Sequence, residues 1–115
     1  MLALNNHFRV EVRTEGPASV LRLIGELDLA AAPTLEEELW KVAAAERLVV
    51  DLRELEFIDS TGLSVLVKAN RRAQETGRQF GVVRGGAQVQ HLLSLTGLTD
   101  RLTIADAPEQ FLSGD

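Results

Sequence analysis

The chain contains no cysteine, which removes disulfide frameworks, thiol nucleophiles and cysteine-ligated zinc in one step. That absence fits a reducing compartment. No stretch approaches the roughly 20 consecutive apolar residues that a helical membrane span needs. The opening residues, "MLALNNHFRV", carry neither the basic segment nor the apolar core of a secretory signal. Together these absences predict a cytoplasmic protein with no membrane partner. Positive charge is also short: twelve Lys and Arg stand against seventeen Asp and Glu, for a net charge of −5. That sign argues against nucleic acid as the main partner. Arg71, Arg72 and Arg78 form a small basic group, but aromatic residues do not interleave with it, and a solvated helix face accounts for it.

What is present is enough for one domain and too little for two. The 115 residues are 45% hydrophobic and 25% charged, an ordinary globular balance that buries a core without staples. "FRVEVRT" at 8–14 alternates with period two, Glu15-Gly16-Pro17 is a turn, and "SVLRLIGEL" at 19–27 is a second strand, so a hairpin opens the chain. "AAAPTLEEELWKVAAAE" changes to helical spacing. Leu35, Leu39, Val42 and Ala43 fall on one face, Pro33 sits in the first turn, and the three glutamates are expected there too, where the helix dipole favours them. Trp40, the only tryptophan, adjoins the inward stripe, a position open to partial exposure, and core packing is expected there rather than a partner contact. "RLVVDL" is a buried strand. Residues 61–76 read as a helix with Leu63, Leu66, Val67 and Ala73 inward and Gly77 closing it. "QFGVV", the Arg84-Gly85-Gly86 turn, the helix "AQVQHLLSLTG", the strand "RLTIA" and the short helix "APEQFL", with Pro108 in its first turn, complete the order. The fold class is α/β, a mixed sheet of about five strands with about four helices packed through right-handed crossovers.

Most catalytic constellations fail on spacing. Ser60, His91 and Asp59 name a triad, but G-x-S-x-G is absent and adjacent Asp59 and Ser60 cannot hold a histidine between them. His7 and His91 are the only histidines, and neither has a second ligand at i+3 or i+4, so no metal site is expected. Asp51 and Asp59 approaching across the strand end would be two carboxylates without further ligands. Gly85-Gly86 lacks the pattern and lysine of a phosphate loop.

Two polar clusters remain, both where strand ends meet helix starts, as functional residues of such sheets do. One is Gly25-Glu26-Leu27-Asp28. The other is Asp59-Ser60-Thr61-Gly62, in "EFIDSTGL". Asp, Ser and Thr are all good helix N-caps, so capping alone accounts for the second cluster. The same geometry also suits a phosphate on a serine, which would meet unpaired N–H groups and a favourable dipole. Residue chemistry leaves both readings open.

"VVDLRELEFIDSTGLSVLVKANRRA" resembles the signature region of the STAS domain, specifically of bacterial anti-sigma factor antagonists. "LIGELDLAAAPTLEEEL" is similar to that family's approach to its first helix, and "LLSLTGLTDRLTIADAPEQFL" to its C-terminal part. The resemblance runs from about residue 8 to 112 of a unit taken as 1–115. It implies a partner-switching protein and not an enzyme. Such a protein binds an anti-sigma factor that is also a serine kinase and so releases a sigma factor, is switched off by phosphorylation, and is restored by a serine phosphatase. By position the resemblance makes Ser60 the phosphoacceptor and Asp59 a partner-contact or positioning residue beside it. Thr61 becomes a second hydroxyl, Gly62 the small residue allowing close approach, and Asp28 part of the same surface. Many members have glycine where this chain has Ser64, which adds a bulkier, hydroxyl-bearing side chain one helical turn after Ser60. No cofactor is implied, and the oligomeric expectation is a monomer or weak dimer. The same family also supplies constitutive scaffolds of stress-signalling assemblies, which carry an extra sensory domain not seen in this sequence, and accessory subunits of lipid-transport complexes. Nucleotide binding, sometimes attributed to the fold, has no base or phosphate pocket in the sequence to support it.

Overall fold

The computed structural model describes residues 7–112. Strands β1 (Phe8–Glu15) and β2 (Ala18–Leu27) pair antiparallel across Gly16-Pro17, where Gly16 at φ +57° takes the left-handed conformation the tight turn needs. Then follow α1 (Ala32–Lys41), β3 (Arg47–Ile58), α2 (Ser60–Glu75), β4 (Gln79–Val83), α3 (Ala87–Leu95), a 3-10 turn at Leu98–Asp100, β5 (Ile104–Ala105) and α4 (Glu109–Leu112). The strands lie side by side in chain order, and β2 through β5 run parallel.

Every parallel connection therefore steps the same way across the sheet, and right-handed crossovers put α1, α2 and α3 on one face. Their inward residues, including Leu35, Leu39, Leu63, Leu66, Val89 and Leu93, share one core with Leu21, Leu23, Val50 and Leu52. Among the described residues the opposite face is covered by α4 alone, whose Phe111 and Leu112 pack on Val20, Val49 and Val83. Gly81 makes this possible, because a Cβ there would overlap the Phe111 ring. None of the described helices is long and apolar enough to cross a membrane.

The expected α/β class, opening hairpin and helix–strand order are all present; several details differ. β3 continues six residues past the apolar run that marks it in the sequence. Its register against β2 slips twice, Arg22 and Ile24 facing Asp51 and Glu54, then Gly25 and Glu26 facing Leu55 and Phe57. Each slip is a bulge on β3, so its buried residues Leu52, Leu55 and Ile58 recur every third position and not every second. β5 shrinks to two residues because the 3-10 turn takes up the preceding chain. In α1 the acids fall beyond the first turn, since the helix begins at Ala32 and not with the glutamates. Pro108 precedes α4, its carbonyl accepting from the Phe111 N–H at 2.9 Å.

Asp51, only 1% exposed, is held by Arg53, whose Nε and Nη2 donate to its carboxylate at 3.1 and 2.9 Å. That hydrogen bonding pushes the Arg53 guanidinium up from its ordinary value, so the arginine stays charged through any ordinary pH. Asp51 and Asp59 do not meet. They belong to one extended stretch, eight residues and on the order of 20–25 Å apart along the strand.

Candidate functional site

The two polar clusters meet on one rim of the sheet. β2 and β3 finish side by side at Leu27 and Ile58, and the Asp59 N–H donates to the Leu27 carbonyl at 3.2 Å. α2 starts at the next residue. Asp59 is its N-cap, with extended backbone and Oδ1 accepting from the Gly62 N–H at 3.0 Å. One side chain therefore does the capping, and the others are released from it.

Ser60, the first helical residue, is exposed, and its hydroxyl has no hydrogen-bond partner among the described residues. The amides of a helix's first turn have no acceptor inside the helix, so Ser60 Oγ projects beside polarised N–H groups at the positive end of a 16-residue helix. Thr61 is half-buried. Ser64 is exposed, but its hydroxyl donates to the Thr61 carbonyl at 2.7 Å, folding back on the helix. Gly62 is buried. A Cβ there would lie 2.7 Å from Leu27 Cγ and 2.8 Å from the Leu27 carbonyl oxygen. The close approach at Gly62 is thus between α2 and β2 of the same chain. Asp28, half-buried, accepts from the Ala31 N–H at 3.0 Å and starts the turn into α1. Among the described residues Asp59 has no ion pair, so the rim around Ser60 is acidic and lacks a paired cation.

Three features lie beyond the sequence reading. The free edge of β3 at Ile58 is closed by a side chain: the Gln88 carboxamide of α3 accepts from the Ile58 N–H and donates to the Ile58 carbonyl, each at 3.0 Å. One residue thus does the work of a neighbouring strand immediately before Ser60. Trp40 is 70% exposed rather than packed in the core. It stands one position past Leu39 on the helix, and the Arg72 guanidinium of α2 lies 5.9 Å from its ring centroid. His7 has two acidic neighbours after all, since the hairpin brings Glu26 and Asp28 to it. The spacing argument tested only helical intervals, and cross-strand pairing escaped it. His91 is exposed on α3 and has no hydrogen bond or ion pair among the described residues, so no triad forms with Ser60.

A model of the STAS domain matches residues 9–110. The anti-sigma-F factor antagonist RsfB of Mycobacterium tuberculosis is 32% identical over 107 residues, 91% of this chain and 87% of that protein. An anti-sigma-B factor antagonist of Staphylococcus aureus is 24% identical over 105 residues, 90% of this chain and 97% of that one. Among solved structures, an anti-sigma factor antagonist from Mycobacterium paratuberculosis superimposes with a TM-score of 0.86 at 28% identity, covering 97% of each chain. The Bacillus protein SpoIIAA in its phosphorylated form shares the fold at a TM-score of 0.69 and 19% identity, over 92% of this chain and 96% of that one. With a family model spanning nearly all the described residues and a relative above 30% identity, the chain belongs to the STAS domain family.

Proposed function

We propose that this chain is an anti-sigma factor antagonist whose partner binding is switched off by phosphorylation of Ser60. The observation that carries the reading is the division of labour at the start of α2. Asp59 caps the helix, which leaves Ser60 exposed and without a partner. Modification there breaks no side-chain hydrogen bond among the described residues. Unphosphorylated, the rim formed by Asp28, Asp59, Ser60, Thr61 and Ser64 docks an anti-sigma factor with serine-kinase activity and releases its sigma factor in the cytoplasm. That kinase moves a phosphoryl group from ATP to Ser60 Oγ, and a serine phosphatase reverses the step. The phosphate adds roughly −1.5 to −2 charges beside Asp59, which has no ion pair among the described residues. A docking partner must then desolvate that charge uncompensated, a cost of several kcal/mol, and each 1.4 kcal/mol is about tenfold in affinity. In this reading the protein is a substrate and a binding module acting as one STAS domain, a monomer or weak dimer in solution.

The test is incubation with the cognate kinase-type anti-sigma factor and ATP, followed by intact mass and partner affinity. Wild type gains one phosphate and loses affinity by at least about tenfold. Ser60→Ala stays unmodified and binds as wild type does, whereas Ser60→Asp binds at least about tenfold more weakly. Modification of Ser60→Ala together with normal binding by Ser60→Asp would instead favour a constitutive scaffold.

A further inference from the structure

The open end of the β1–β2 hairpin gathers three ligand-type side chains. Antiparallel register places Phe8 opposite Gly25, hence His7 opposite Glu26, and the Glu26 N–H donates to the His7 carbonyl at 3.0 Å. Opposite residues of an antiparallel pair share a face, and so do residues i and i+2 of a strand, which brings Asp28 to the same side as Glu26. Gly25 allows the approach: at φ +100°, with a Cβ that would overlap the His7 carbonyl, only glycine fits. One ligand atom from each of His7, Glu26 and Asp28 therefore lies within 4.8 Å of the others.

The polar atoms there are poorly matched to one another. His7 Nε2 is buried and, among the described residues, has no hydrogen-bond partner, lying 3.4 Å from Asp28 Oδ2. Asp28 Oδ1 is already committed to the Ala31 N–H, which turns Oδ2 toward the imidazole. Among the described residues no lysine or arginine pairs with Glu26 or Asp28. Two carboxylates thus converge on a buried imidazole nitrogen.

We propose that His7, Glu26 and Asp28 bind one divalent transition-metal ion, zinc in the first instance. One imidazole nitrogen and two carboxylate oxygens are a donor set that zinc accepts and that magnesium and calcium, which prefer oxygen alone, do not. Three protein ligands leave a fourth position for water. Ligand atoms of a tetrahedral zinc site stand about 3.3–3.5 Å apart, so the site must contract, and the exposed Glu26 is the side chain with freedom to move. The Asp28–Ala31 hydrogen bond is the outer support that holds its ligand in place. An ion here neutralises acids at the strand end whose Leu27 carbonyl receives the Asp59 N–H, one residue from Ser60. The site stands independently of any phosphorylation there.

The experiment is titration of the metal-free full chain with zinc chloride, followed by calorimetry and by NMR of the two histidine rings. One equivalent binds, the His7 ring signals shift and those of His91 stay in place. His7→Gln and Glu26→Gln each weaken binding at least about tenfold, in the range seen for lost metal-site interactions, while His91→Gln leaves it unchanged. The proposal is overturned if about 1 mM zinc, the weak end of the affinity scale, gives no stoichiometric binding, or if the His91 ring is the one that responds. It is equally overturned if Glu26→Gln binds as wild type does, which removes Glu26 from the ligand set.

Discussion

Four successive residues of similar polarity hold four different roles at the start of α2. Asp59 caps, Ser60 faces solvent, Thr61 is half-buried and Gly62 is packed against Leu27. The sequence shows that one of the first three must cap but not which, because all three oxygens are competent and the choice depends on which residue keeps extended backbone. Gly62 tests this picture most sharply. The added methyl in Gly62→Ala meets a backbone oxygen, which cannot rotate away as a side-chain tip can. We expect a loss of about 2–3 kcal/mol, the upper part of the range for overpacking, seen as a lower urea midpoint with unchanged slope. A loss below about 0.5 kcal/mol, the range of ordinary surface changes, would mean that α2 shifts freely over β2.

Between elements, legibility in the sequence followed period. Where alternation or helical spacing is clean, as in β1, β2 and α2, the boundaries read from the residues agree with the structure to one residue. β3 failed that test because its two bulges convert a two-residue period into a three-residue one, which no strand template matches. Trp40 was misplaced for a related reason. A position adjoining an apolar stripe is decided by what packs beside the helix, and here α2 offers the cation of Arg72 rather than an apolar cover. Its replacement is correspondingly cheap. Trp40→Ala should cost about 1 kcal/mol or less, the scale of an exposed cation–π contact, against about 3–5 kcal/mol for a buried aromatic. In wild type the tryptophan emission should be that of a solvated indole and quench readily with acrylamide; a blue-shifted, protected emission would contradict the exposed placement.

At the scale of the whole molecule the two faces of the sheet are unequally protected. Three helices share the larger core, whereas among the described residues the four-residue α4 alone covers Val20, Val49 and Val83. The β-strand order already implied the first arrangement, since right-handed crossovers in a single direction leave no other. The second depends on Gly81 admitting the Phe111 ring, a contact between positions thirty residues apart that periodicity does not encode. Phe111 is half-buried, so Phe111→Ala should cost about 2 kcal/mol, less than a fully buried ring. It should also raise binding of an apolar dye, with hydrogen exchange faster at the α4-facing valines than around Leu23 and Leu66. Equal acceleration on both faces would mean that the sheet unfolds as one unit from either side.

Because Asp59 carries the cap and Gly62 the packing, Ser60 is a position that descent can rewrite without a folding penalty. A lineage in which it drifts to alanine keeps a protein of normal abundance and stability. Selection for solubility or turnover cannot see that change, and the hydroxyl is retained only by selection on what it does at the surface.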